Sequence, residues 1–126
     1  MKTPEPTDRE LSLLKVIWRR GEATVRQIYE DVREEIPIVQ NTVQAFLRTM
    51  TEKGLVSYET RGRTFYYRAA VEPEETRQRL LSRLLERAYD GAVGSLVEGA
   101  VSLHRPTRDE LARLRALLDE LEEEAP

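Results

Sequence analysis

The side chains in this 126-residue sequence best suited to recognising a ligand are a few short polar residues and a pair of arginines. Asn41, Thr42 and Gln44 sit close together, with Gln40 before them, the small Ala45 beside them and Arg48 one helical turn further on. Asn and Gln carboxamides can pair in bidentate fashion with the edge of adenine, and threonine can hydrogen-bond a base or touch a thymine methyl. Arg61-Gly62-Arg63 sets two guanidinium groups at a turn, where they can hold phosphate oxygens or reach a minor groove. Each residue also has an ordinary use. Asn41 can cap a helix, Gln44 is a good exposed helix former, and arginines at a turn keep a strand edge unpaired. Taken together, on one helix and one hairpin, they point to double-stranded DNA.

The surrounding pattern supplies the elements that must position them. Thr7-Asp8-Arg9-Glu10 has the form of a capping box, and Leu11, Leu14, Ile17 and Trp18 follow at helical spacing until Gly21. Trp18 reads as a core anchor. Thr24 and Gln27 repeat the capping pattern before Val25, Ile28, Tyr29 and Val32, and Pro37 ends that segment. A third helix is expected from Gln40 to Lys53, with Val43, Phe46, Leu47 and Met50 on its apolar face and Gly54 as its left-handed cap. Asn41, Gln44, Ala45 and Arg48 occupy the opposite face. Leu55 to Thr60 alternates as a half-buried strand does, and Thr64 to Arg68 forms a second β-rich run. Residues 1–6, with Pro4 and Pro6, read as a loose arm. Three helices followed by a strand, a basic turn and a strand make a winged helix-turn-helix, in which the third helix enters the major groove N-terminus first.

Pro73 marks the expected boundary between a DNA-binding domain (residues 1–72) and a helical domain (residues 73–126). Leu80, Leu81, Leu84, Leu85 and Ala88 recur at helical spacing, and Asp90-Gly91 breaks the run. A second segment over residues 92–103 carries Val93, Leu96, Val97, Ala100 and Val101. Thr107 and Glu110 form a third capping box before Leu111, Leu114, Leu117, Leu118 and Leu121. Some fifty residues cannot bury so many leucines alone. A two-fold partner covers them, with Leu81, Leu84, Leu85, Leu96, Val97, Leu111, Leu114 and Leu118 as the expected dimer interface, and a symmetric dimer matches a palindromic operator. The fold class expected is mostly α with a small β-hairpin.

Composition narrows the function classes. The net charge is −3, but residues 1–72 carry 12 Lys/Arg against 11 Asp/Glu. Within residues 40–68, Arg48, Lys53, Arg61, Arg63 and Arg68 face only Glu52 and Glu59. A local basic face, and not the global charge, is what phosphate binding needs. Cysteine is absent and His104 is the single histidine, so no thiol nucleophile, disulfide or zinc set of N and S ligands is available. No cofactor and no enzymatic activity is expected. No apolar run approaches the ~18–20 residues that span a bilayer, and the N-terminus has no signal-peptide pattern, so the cytoplasm is the expected compartment. Two other classes fit parts of the pattern: a winged-helix protein-interaction module, and a dimerisation adaptor driven by the C-terminal leucines.

The ordered set of motifs resembles the penicillinase-repressor (BlaI/MecI-type) family of winged-helix regulators. The resemblance runs through Thr7-Asp8-Arg9-Glu10 with Leu14 and Ile17-Trp18, Gly21-Glu22-Ala23-Thr24-Val25, Asn41-Thr42-Val43, Glu52-Lys53-Gly54-Leu55 and Arg61-Gly62-Arg63-Thr64-Phe65-Tyr66-Tyr67. It continues in Ala88-Tyr89-Asp90-Gly91, Ser95-Leu96-Val97 and Asp109-Glu110-Leu111. It implies a homodimeric repressor of promoters with inverted repeats, with three C-terminal helices as the dimer module. In the antibiotic-sensing branch it also implies a membrane sensor protease as partner and a cleavage position that aligns with Gly99-Ala100. That branch has Asn-Phe there. The copper-sensing branch uses a C-terminal cysteine cluster that this chain lacks. The Ser-Pro-Lys that opens the recognition helix in some relatives is replaced by Val39-Gln40-Asn41.

Overall fold

The computed structural model describes residues 4–126. Six helices and one hairpin follow in the order α1 (Asp8–Arg20), α2 (Val25–Val32), α3 (Gln40–Lys53), β1 (Val56–Arg61), β2 (Thr64–Ala69), α4 (Pro73–Tyr89), α5 (Val93–Leu103) and α6 (Arg108–Glu124). The mostly helical architecture with a two-stranded antiparallel wing is the one expected. Capping explains where three of the helices begin. Thr7, Thr24 and Thr107 each accept from the backbone N–H three residues on, and Glu10, Gln27 and Glu110 reach back to the cap N–H.

The chain divides into two compact units, the first running to Leu81 and the second spanning Ser82–Pro126. These compact units divide eight residues beyond Pro73, the expected start of the helical dimerisation domain. Pro73 opens α4, but the first turns of that helix stay with the first unit, where Thr76 is buried and its hydroxyl donates to the Glu72 carbonyl.

The core of the first unit gathers Leu13, Leu14, Val16 and Ile17 from α1, Ile28 and Val32 from α2, and Val43, Leu47 and Met50 from α3. Leu55, Val56 and Tyr67 close it from the hairpin side. The helical and alternating spacings put these residues on single faces, so burial of those faces fixes how α3 and the wing are aimed. Trp18 anchors this core at its edge, its indole N–H donating to the Val71 carbonyl at 2.9 Å. Pro6 is buried, so the arm is not loose where it is described, and residues 1–3 lie outside the described residues. At the end of α3, Gly54 takes the left-handed conformation (φ 82°, ψ 17°) that lets the chain turn directly into β1.

One ion pair ties the start of α1 to the end of α3. The Glu10 carboxylate is almost wholly buried, and its Oε1 accepts both the Thr7 N–H (2.8 Å) and the Lys53 ammonium (2.6 Å). Burial alone would raise the carboxyl pKa. The Lys53 ammonium and the Thr7 amide outweigh it and hold the group below its ordinary value.

In the second unit, no residue of α5 or α6 is buried. Leu117, Leu118 and Leu121 are each more than half exposed, and Leu111, Leu114 and Val97 are also open. The end of α4 and α5 approach closely. A Cβ at Gly99 would lie 2.8 Å from the Tyr89 hydroxyl oxygen.

Candidate nucleic-acid interface

The third helix presents three surfaces around its buried stripe. On the wing side, Gln40, Gln44 and Arg48 line a groove of about 630 Å³ shared with Thr24, Val25 and Arg26 of the α2 start and with Tyr58, Arg63 and Phe65 of the hairpin. On the other flank, Thr42 lines a smaller groove of about 540 Å³ with Arg9, Ile38, Val39 and Phe46. Asn41 and Ala45 are exposed and line neither groove. The expected contact residues of α3 are thus all accessible, but they are spread over a ridge and its two flanks.

The α3 start differs from those of α1, α2 and α6. Val39 is its N-cap and supplies no side-chain hydrogen bond, and no acidic residue lies in the first turn. The end of this helix that leads into a groove therefore carries neither a capping oxygen nor a negative charge to repel phosphate.

The hairpin separates the two arginines that the sequence places together. Arg61 is not in the turn: it pairs with Thr64 as the last residue of β1. The turn is Gly62-Arg63 alone, with Gly62 at φ 63° and Arg63 at ordinary negative φ, the pattern of a two-residue type II′ loop. Alternation then sends the side chains to opposite faces. Tyr58, Phe65 and Tyr67 share the inner face, where Tyr58 and Phe65 stack at 4.4 Å. Arg63 joins them in the groove. Arg61 lies on the outer face with its guanidinium over the Tyr66 ring at 4.4 Å.

On that outer face Arg61 is engaged. Its two terminal nitrogens donate to both Glu22 oxygens at 2.9 and 2.8 Å, and Glu59 lies at 3.4 Å. Arg68 donates to Glu22 as well, at 3.2 and 3.0 Å. The hydrogen bonds donated by Arg61 and then Arg68 hold the Glu22 carboxyl below its ordinary pKa, and those that Arg61 donates to Glu22 and then Glu59 raise its own. Of the two arginines expected to grip the DNA backbone or a minor groove, Arg63 opens into the wing-side groove, whereas Arg61 is bonded to a carboxylate 39 residues earlier in the chain.

Reading the sequence residue by residue misses Arg9, Arg26, Tyr58 and Phe65. For Tyr58 and Phe65 the signal was present, because period-2 alternation across a two-residue turn puts them on one face. For Arg9 there is none, since only the fold brings the start of α1 beside Thr42.

All but one of the remaining expected residues lie in the second unit. Leu81, the last residue of the first unit, is exposed, as are Leu84, Val97, Leu111, Leu114 and Leu118, while Leu85 and Leu96 are half-buried. Gly99 and Ala100 lie inside α5, where the Ala100 carbonyl accepts the His104 N–H at 3.0 Å. Among the described residues, no group of three or more His, Asp or Glu is arranged to hold a metal ion, and no helix is long and apolar enough to cross a membrane.

Comparison with known proteins agrees with this construction. The model of the family described as "Penicillinase repressor" matches residues 6–120. The penicillinase repressor of Bacillus licheniformis is 24% identical over 119 residues, covering 94% of this chain and 93% of that protein. The methicillin resistance regulatory protein MecI of Mammaliicoccus sciuri is 23% identical over 118 residues, covering 94% and 96%. The solution structure of the DNA-binding domain of the repressor BlaI superposes with a TM-score of 0.53 at 24% identity, over 59% of this chain and 90% of that one. The Bacillus licheniformis BlaI monomer in complex with the blaP half-operator gives 0.52 at the same identity and coverage. Those two likenesses establish the winged-helix fold of the first unit. The chain belongs to the penicillinase repressor family, and it is a DNA-binding transcriptional repressor and not an enzyme.

Proposed function

We propose that this chain represses transcription in the cytoplasm as a homodimer, each winged domain reading one half of an inverted-repeat operator. The observation that carries the reading is the wing-side groove, where Gln40, Gln44, Arg48 and Arg63 converge on one space beside an uncapped helix start. Gln44 and the exposed Asn41 and Thr42 would read bases, with Ala45 leaving room for a close approach. Arg48 and Arg63 would hold phosphates and set register. The experiment is titration of the purified protein against its own promoter region over a range of salt. Salt-dependent, saturable binding that a scrambled duplex does not match supports the reading, and its absence ends it.

The uncovered leucines of α6 supply the dimer half of the proposal, because an apolar surface of that extent on a lone chain favours association. A fragment ending at Leu81 is expected to sediment as a folded monomer and to lose at least an order of magnitude in promoter affinity, since two half-sites are no longer bound as one unit. A fragment that stays dimeric would move the interface into the first unit.

The sensor-protease partner implied by the family would have to act on α5. Cutting between Gly99 and Ala100 requires that helix to open, because the bond lies within its hydrogen-bonded run. Intact-mass measurement on protein recovered from cells with a derepressed promoter tests this partner. Fragments 1–99 and 100–126 would support it, and a full-length chain would exclude it.

A further inference from the structure

The outer face of the wing carries a charge arrangement that the winged-helix reading does not require. Three arginines lie on the hairpin, and Glu22 binds two of them, accepting four guanidinium N–H groups from Arg61 and Arg68 between 2.8 and 3.2 Å. Arg63, at the tip, is not among the partners of any ion pair found in the described residues. Glu22 is held where it is by its neighbour. Ala23 and Tyr67 exchange both backbone hydrogen bonds, at 3.0 and 2.8 Å, as an isolated antiparallel bridge. That bridge sets Glu22 opposite Arg68 through the backbone alone, and the long Arg61 side chain reaches Glu22 from the end of β1.

The network therefore adds little to folding. Its members are a third to more than half exposed, and ion pairs so exposed contribute little to stability. Its larger effect is on how many cations DNA can recruit. Each guanidinium that neutralises a phosphate adds equally to operator and non-operator binding, so free wing arginines raise affinity while lowering discrimination.

We propose that Glu22 is a specificity-determining residue: it withholds Arg61 and Arg68 from DNA phosphates, so that the wing grips the backbone through Arg63 and non-operator DNA is held weakly. The inference rests on the DNA-binding reading.

The test uses the full chain, a promoter duplex, and a scrambled duplex of the same length, each titrated over a range of salt. Glu22→Gln keeps the size of the side chain, frees Arg68, and leaves Arg61 only its long contacts with Glu59 at 3.4 Å. It is expected to bind the scrambled duplex about ten-fold or more tightly than the parent, with the slope of log K against log salt steeper by about 2 or more per dimer. Promoter affinity is expected to rise less, so the ratio of the two falls. The triple variant Glu22→Gln, Arg61→Gln, Arg68→Gln is expected to return to the parent slope. In the parent background, Arg61→Gln with Arg68→Gln is expected to leave the slope unchanged, which tests the same point without altering Glu22. An unchanged slope in Glu22→Gln overturns the proposal, as does a steep slope that survives in the triple variant. A parent protein that binds neither duplex would instead overturn the DNA-binding reading.

Discussion

Lys53→Met is expected to lower the stability of the first unit by about 3 kcal/mol, the lower end of the cost of stripping one partner from a buried ion pair. The substitution keeps the unbranched stem and removes only the ammonium. What it leaves behind is the Glu10 carboxylate, 2% exposed, with the Thr7 N–H as its remaining donor. The lower end applies because the Lys53 side chain is itself about a third exposed, so some screening reaches the pair. Glu10→Gln in the same chain is expected to recover most of the loss, since a glutamine at that position still completes the capping box and carries no charge.

The pH dependence gives this result a second, independent face. In the parent the folded-state pKa of Glu10 is depressed, so its contribution is fully present above the unfolded value and is lost as pH falls through the folded one. In Lys53→Met burial is left without its counter-charge, and the folded pKa moves above the unfolded value. The carboxyl then protonates early on acidification, and the penalty shrinks. The stability gap between parent and variant should be widest near neutral pH and narrow below about pH 4.5, measured by urea unfolding at several pH values. A gap that stays constant with pH would mean that Lys53 acts through its hydrocarbon stem alone.

Lys53 and Glu10 also show what the sequence exposes and what it hides. Both were read locally: Glu10 as the closing residue of a capping box, Lys53 as the last residue of α3. Both readings hold, because capping depends on residues three apart. The limits of α3 and the position of the wing were legible for the same reason, since helical and strand periods are short-range signals. The ion pair between the two residues crosses 43 positions and exists only once α1 has packed on α3. Arg61 follows the same rule. Its place beside Gly62-Arg63 suggests a turn cation, but a two-residue loop leaves it in β1 on the outer face, and Glu22 reaches it through a backbone bridge between residues 44 apart. Pro73 is local in the same way: a proline at the first turn of a helix shows where α4 starts and says nothing of which compact unit that turn joins.

The second large effect follows from that separation of the wing arginines. Arg48→Ala with Arg63→Ala is expected to weaken promoter binding on the order of 10²- to 10³-fold and to reduce the salt slope by about 3.6, which is 0.9 for each of four phosphate contacts in a dimer. Both residues line the wing-side groove, Arg48 one turn beyond Gln44 and Arg63 at the hairpin tip, and neither is paired to a carboxylate in the described structure. Gln44→Ala should behave differently, relaxing preference at one base position with little change of slope, because a base contact releases no counterions. Arg61→Ala should behave differently again. Its charge is already balanced by Glu22 and Glu59, so the slope should stay near that of the parent. If Arg61→Ala flattened the slope as much as Arg63→Ala does, the ion pair with Glu22 would have to break on DNA, and the wing would grip the backbone with both faces of the hairpin.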